Sequence, residues 1–383
     1  MIKLGRKKFY SAPMIFLQIG SLLSIAVVSL FGAHFFLYFS LTHLFCISDK
    51  HKDYLIFLLF FLGNSFIIFS IIAHWKENVV TRIFYFLSGF WWGLLANLML
   101  AIIAIWIVLW LNDLLVLDIN ILALELSFFT LAFLLSLYGV WNAYSPKIKN
   151  VFATIPNLPE NWQAKKIVHI SDVHLGHLYR ANFLRRIVNK INSQHPEMVA
   201  ITGDLFDGMD GNLESLTSPL NNLKTNYGVF FVNGNHETYL GIEKTHNILE
   251  KTKVRILRDE VIDLSGLKLI GISYPDRGEK KDIPATLKKL RPDFFGKPNI
   301  FIYHSPINIS QIAKNGVNLQ LSGHTHLGQI FPFNFITKII YHGYDYGLHC
   351  IDNYTLYVTN GVGTWGPMMR IGNVPEVVVI TLK

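Results

Sequence analysis

The sequence predicts an α-helical bundle that crosses a membrane, joined to an α/β domain, and three observations predict it. Residues 9 to 146 carry few charges, whereas residues 147 to 383 read like a globular domain of ordinary polarity. The chain of 383 residues is 51% hydrophobic and only 16% charged, with a mean hydropathy of +0.35, too apolar for a soluble protein of that size. In the polar half, short β-rich runs alternate with amphipathic helical stretches, the pattern of an α/β fold. The linker Ser145-Pro146 marks the expected boundary, with a membrane domain over 1–146 and a second domain over 147–383.

In the apolar half, no Asp, Glu, Lys or Arg occurs between Lys8 and Asp49. A spanning helix needs only about 20 apolar residues, so a span is expected there, near 14–42. A second, 54–73, ends at the charged break His74-Trp75-Lys76-Glu77. A third, 83–111, follows Arg82, and a fourth, 121–144, follows the acidic break holding Asp113 and Asp118. Trp and Tyr cluster near the ends of the runs, as interfacial anchors do. The first run is longer than the apolar region of a signal peptide and shows no small-residue cleavage site, so an uncleaved span is expected.

Charge sets the expected topology. Lys3, Arg6, Lys7, Lys8, Lys76, Arg82, Lys147 and Lys149 would share one side, against Lys50 and Lys52 on the other. The positive-inside rule then puts both termini in the cytoplasm, giving a multi-pass protein of the cell membrane with its second domain on the cytoplasmic side. His34, His43 and Glu125 lie in or beside the spans. Glu125 is near the start of its helix, where it could reach the interface, and lone histidines without acidic partners define no ion path.

The polar half opens with a run from Lys166 to Ile170, then a helix near Ala181 to Gln194, then runs from Met198 to Thr202 and Gly228 to Val232. Two later runs are Ile300 to Tyr303 and Leu319 to Ser322. The two cysteines, Cys46 and Cys350, sit in different halves, so no disulfide framework is expected and the composition fits a reducing compartment. The net charge of +8 is scattered instead of gathered in one basic run, so nucleic acid is not an expected partner; an acidic membrane surface is.

In α/β domains the chemical groups collect on loops at the carboxyl ends of strands. Here the runs end in Ser171-Asp172-Val173-His174, Gly203-Asp204-Leu205-Phe206-Asp207, Asn233-Gly234-Asn235-His236-Glu237, His304, and Gly323-His324-Thr325-His326. One DxH or HxH alone is more often a surface loop than a metal site. Five such clusters in order, each at a strand end, are not. Oxygen and imidazole ligands without cysteine suit a divalent transition metal such as Mn, Fe or Zn. Glycines 203, 234 and 323 allow the sharp turns that bring short side chains to a metal.

The order DxH, GDxxD, GNHE, H, GHTH resembles the calcineurin-like metallophosphoesterase superfamily over residues 165 to 383. ISDVHLG, GNHETYLG, GHTHLGQI and NGVGTWGPMMRIGNVPE resemble more narrowly its membrane-associated bacterial branch of YkuE and YaeI type. The departure is Leu327, where that branch usually has a second glycine, at the expected pocket rim. The resemblance implies a four-layer α-β-β-α sandwich with two mixed sheets and the metals at their loop edge. It implies two divalent ions: one on Asp172, His174 and His326, the other on Asn235, His304 and His324, with Asp204 bridging. His236 would contact the phosphate or protonate the leaving oxygen, and Asp207 and Glu237 would orient the ligands or the His236 ring. Arg370 and His177 are weaker candidates, the first for an anionic substrate or a surface carboxylate, the second for lining the pocket.

Two cations about 4 Å apart lower the pKa of a bridging water so that hydroxide can attack a phosphoester or pyrophosphate in line. His236 supplies the proton for the leaving group. The competing classes are a transporter or sensor with a regulatory metal-binding domain, and a scaffold that has lost catalysis. The first should carry paired polar groups in its spans and the second should lack a ligand, and neither is seen. Monoester, diester and pyrophosphate substrates stay open, as does the oligomeric state. The short tether Ser145 to Lys165 favours a lipid-linked substrate held near the bilayer.

Overall fold

The computed structural model describes residues 12–208 and 212–383; the basic residues Lys3, Arg6, Lys7 and Lys8 lie outside them. Four helices come first, α1 (Ala12–Leu44), α2 (Asp49–Trp75), α3 (Val79–Leu115) and α4 (Ile121–Ala143). All four are long and apolar enough to cross a membrane. Asp49 sits in the first turn of α2, where its charge favours the helix N-terminus, so that helix takes in the charged residues before Tyr54.

The strands are β1 (Lys147–Ala153), β2 (Lys166–Ile170), β3 (Met198–Ile201), β4 (Gly228–Phe231), β5 (Val254–Ile256), β6 (Glu260–Leu264), β7 (Leu267–Gly271), β8 (Asn299–Ile302), β9 (Leu319–Ser322), β10 (Gly347–Ile351), β11 (Tyr354–Val358) and β12 (Glu376–Leu382). Between them run α5 (Ala181–Asn192), α6 (Glu214–Thr217), α7 (Asn235–Leu240), α8 (Ile242–Leu249), α9 (Ile283–Phe294), α10 (Ile309–Lys314) and α11 (Asn334–Ile340).

The chain divides into two compact units. One holds the helical residues up to Phe69 and Leu94–Leu134. Within it the Trp106 indole donates to Ser40 Oγ at 3.0 Å and packs against the rings of Phe39 and His43. His34 Nδ1 lies 2.8 Å from the Leu30 carbonyl oxygen, and Gly63 leaves the room its ring needs. Glu125, four residues into α4, is buried.

The other unit holds Ser70–Gly93 and Leu135–Lys383. It contains two six-stranded sheets among the described residues, ordered β1-β12-β2-β3-β4-β5 and β10-β11-β9-β8-β7-β6. Both are mixed: β12 runs parallel to β1 and antiparallel to β2, and β6–β7 and β10–β11 are antiparallel hairpins. Alternation along each strand separates the faces. Ile167, Met198 and Ala200 meet Leu269, Ile300 and Leu321 of the second sheet in one core. Val168, Ile170, Val199 and Ile201 pack under Phe183, Leu184 and Ile187 of α5, and Phe301 and Leu356 pack under Leu287 of α9 and Ile312 of α10. The result is a four-layer α-β-β-α sandwich. Since β2, β3 and β4 are mutually parallel, as are β8, β9 and β11, their carboxyl ends gather within each sheet.

Ends of the long helices belong to this unit. Asn142 of α4 donates to the Arg370 and Asn373 carbonyls at 3.0 and 2.8 Å. The Arg370 N–H donates to Gly139 O at 2.9 Å. Gly139 and Gly93 lack the Cβ that would collide with Met369.

Candidate metal centre

Each apolar strand delivers its polar residues through a backbone that turns sharply. Asp172, His174, Asp204, His324 and His326 all have positive φ, between +49° and +76°, a region that Asp and His enter more readily than most residues but at a cost. Gly203 combines a φ of +87° with a close approach: a Cβ there would lie 2.6 Å from the Gly234 nitrogen. Gly323 is needed for space, since a side chain would displace the Asp172 carboxylate.

Among the described residues the turns bring three groups of possible ligand atoms together: Asp172, His174 and His326; Asp204, His304 and His324; and His174, Asp207 and His236, which shares His174 with the first. In the first, His326 Nε2 lies 3.3 Å from Asp172 Oδ1 and 3.1 Å from His174 Nε2. In the second, His304 Nε2 lies 3.2 Å from Asp204 Oδ2, 3.1 Å from Asn235 Oδ1 and 2.9 Å from His324 Nδ1. His304 Nδ1 donates to the Thr202 carbonyl at 2.7 Å, so in the neutral ring Nε2 carries a lone pair. That lone pair faces a carboxylate oxygen, an amide oxygen and another imidazole nitrogen. Four electron-rich atoms converging in a buried site fit a cation.

Protonation among the protein groups points the same way. Burial would raise Asp172 and Asp204, but the imidazoles around them hold both carboxyls below the usual range. Burial, then the neighbouring His304, pushes His324 down to about 3. Burial takes His326 down to about 4 against the pull of Asp172. These four are in the state that ligation requires. His304 and His174 differ: burial opposes their charge, yet Asp204 and Asp172 raise His304 to about 9, and Asp207 and Asp204 raise His174.

Other side chains set this geometry. Glu237 is fully buried and accepts from the Asp204, Gly234 and Phe206 N–H groups at 2.8, 2.7 and 3.1 Å. It therefore clamps the loops that carry Asp204 and Asn235. His236 Nδ1 donates to the Asp207 carbonyl at 2.9 Å, and the Asp207 carboxylate lies 3.5 Å from His174 Nδ1. His169, which the strand pattern did not single out, sits 2.8 Å from the hydroxyl of Thr202, the residue whose carbonyl holds His304.

Two expected residues lie elsewhere. Arg370 neither lines the cavity nor meets a surface carboxylate. It is buried behind His326, where its guanidinium donates to the Gly363 and Asn360 carbonyls and to Asn373 Oδ1 and lies 3.2 Å from His326 Nδ1. His177 is buried away from the cavity, its ring packed at 5.6 Å on Tyr85 and 3.9 Å from Glu77, which also pairs with Arg180. Spacing along the chain could not reveal either, because both destinations are set by distant segments. Leu327 likewise turns from the cavity toward Lys147 and Tyr346. Its φ of +48° gives a physical reason for glycine at that position.

The ligand candidates Asp204, Asn235, His324 and His326, with His236, form the floor of a cavity of about 630 Å³. Its walls are Tyr239, Phe333, Ile336, Ile340, Tyr341 and Trp365. Tyr239 and Trp365 fall within the quoted motifs GNHETYLG and NGVGTWGPMMRIGNVPE without being singled out, and the run around NFITKII, which supplies Ile336 and Ile340, resembles any apolar helix.

Residues 165–328 match the family model described as calcineurin-like phosphoesterase. The chain is 36% identical over 266 residues to metallophosphoesterase Cj0846 of Campylobacter jejuni, covering 68% of this chain and 70% of that protein. It is 32% identical over 269 residues to a transmembrane protein with metallophosphoesterase domain of Danio rerio, covering 65% and 60%. It is 29% identical over 236 residues to metallophosphoesterase YkuE of Bacillus subtilis, covering 59% and 82%.

Proposed function

Because the chain belongs to the calcineurin-like metallophosphoesterase family, whose members hydrolyse phosphoesters with divalent metals, we propose that its centre works with two such cations on a lipid-linked phosphoester or pyrophosphate. Asp172, His174 and His326 would hold one, Asn235, His304 and His324 the other, with Asp204 shared. The convergence of lone-pair atoms on His304 Nε2 is the observation that carries this reading, and the thiolate-free donor set suits Mn, Fe or Zn. When bound, such a pair supplies an activated water and neutralises phosphoryl oxygens.

The chain's own residues do the rest. The Asp207 carbonyl keeps a proton on His236 Nδ1, which turns Nε2 toward the cavity floor, 4.0 Å from Asp204 Oδ2. Protonated at Nε2, His236 is placed to give a proton to the leaving oxygen. The apolar cavity walls and the four long apolar helices support a substrate with a hydrocarbon part.

Purified full-length protein with its native metal should hydrolyse one class among phosphomonoesters, phosphodiesters and lipid pyrophosphates, and Asp204→Asn should abolish both activity and metal retention. A metal-free, fully active Asp204→Asn enzyme would overturn the reading. The catalytic domain is proposed to be cytoplasmic with both termini; labelling of a cysteine at Lys149 from outside the cell would refute that.

A further inference from the structure

Around the cavity mouth, large apolar side chains stand uncovered. Helix α11 has no buried residue: Ile339 is 75% and Ile340 60% exposed, and Phe331, Phe333, Phe335 and Ile336 are exposed beside them. A contiguous face of this kind marks an interaction surface.

Two observations say what covers it. The face joins the end of apolar helix α4 that belongs to this unit: Phe331 N donates to Ile371 O at 2.9 Å, Ile371 N to Gln329 O at 3.1 Å, and the side chains of Ile371 and Met369 fill the space over Gly139 of α4. Helix α11 is also divided. Phe333, Ile336 and Ile340 line the cavity, whereas Phe335 and Ile339 do not and are open to the outside. Lys338 is the only charged residue of α11 and is exposed. An apolar face with a cation at its edge is the make-up of a helix that lies in the interface of an anionic bilayer.

We propose that Phe331–Ile340 is an interfacial anchor, seated in the outer hydrocarbon of a phospholipid bilayer. The cavity then opens at the bilayer surface and takes a phosphoester whose hydrocarbon tail stays in the lipid. The substrate half rests on the catalytic reading above; the bilayer seat does not.

The test uses the full chain with Cys46→Ala and Cys350→Ala, reconstituted into phosphatidylcholine–phosphatidylglycerol vesicles with or without bromine on the acyl chains. A fluorophore at Ile339→Cys should lose its emission in brominated vesicles, and one at Lys288→Cys on α9 should not. An unquenched Ile339→Cys label overturns the anchor. In mixed micelles, Phe335→Glu with Ile339→Glu should lower kcat/KM for an alkyl-tailed phosphoester about tenfold or more, with nitrophenyl phosphate hydrolysis unchanged. Equal effects on both substrates overturn the tail assignment. If the unmutated enzyme cleaves neither substrate, the catalytic reading fails, and quenching alone still decides the bilayer seat.

Discussion

Replacing Glu237 should loosen the centre without touching a ligand. Its carboxylate is fully buried and takes three backbone N–H groups, those of Asp204, Gly234 and Phe206. Glu237→Ala strands all three, and each buried unsatisfied donor costs about 1–3 kcal/mol. Even at the low end the loss is about 3 kcal/mol, or roughly 6–12 °C in the unfolding midpoint of a unit this size. Glu237→Gln keeps two of the bonds if its amide oxygen takes the place facing Asp204 and Gly234, and then turns its NH₂ toward the Phe206 N–H. One donor is lost, about 1–3 kcal/mol, partly offset because the charge beside Asp204 goes; burial and Asp204 together push Glu237 up to about 7. Since two of the three bonds fix the backbone at Asp204 and next to Asn235, metal affinity should fall about 10–100-fold in either variant. Thermal unfolding of the detergent-purified full chain and metal content after dialysis at fixed free metal measure both effects. A Glu237→Ala protein with the unmutated midpoint and full metal content would refute the clamp.

His236→Ala should retain metal and lose about 100-fold or more in turnover, the loss shrinking for nitrophenolate leaving groups, which need no proton; a missing ion in that variant would make His236 a ligand. Metal uptake should release protons: His304, which Asp204 and Asp172 raise to about 9 against burial, and His174, which Asp207 and Asp204 raise against burial, must both be neutral to ligate. Affinity should therefore fall as pH drops below 9, and calorimetry in buffers of different ionisation enthalpy should count the protons. A pH-independent affinity between 7 and 9 would contradict the His304 assignment. Gly323→Ala should displace the Asp172 carboxylate and reduce metal content, with normal content counting against the close-packing argument.

How much was legible depended on whether a residue's fate is local. The ligand candidates follow directly on apolar strands, so parallel pairing alone carries Asp172, Asp204 and Asn235 to one edge of the first sheet, and His304 and His324 to one edge of the second. The sandwich was implied by the resemblance that the ordered motifs carry, whereas the strand pattern by itself gave only an α/β domain. Arg370 was not legible, because its neighbours are groups of its own loop, Asn360 to Asn373, and the distant His326, and that loop is held by Asn142 and Gly139 of α4. His177 was drawn off by Glu77 and Tyr85, more than 90 positions earlier in the chain. Periodicity could not reveal the cavity wall: an apolar helical run looks the same whether it enters a core or stands exposed, as α11 does.

The positive φ angles join these strands of argument. Five of the seven ligand candidates, Asp172, His174, Asp204, His324 and His326, occupy the left-handed region, at about 1 kcal/mol or more each. Such conformations persist only where the surroundings over-determine them. Here the determinants are visible: Asp172 N donates to Gly203 O and His174 N to Asp204 O, His324 N donates to the Asp172 carboxylate, and Glu237 holds the Asp204 loop. Each ligand loop is thus braced by another ligand loop from a neighbouring strand or from the other sheet. The strained turns point short side chains inward, and the mutual bracing keeps them there, which is why the loops form one site despite lying more than 150 residues apart in sequence.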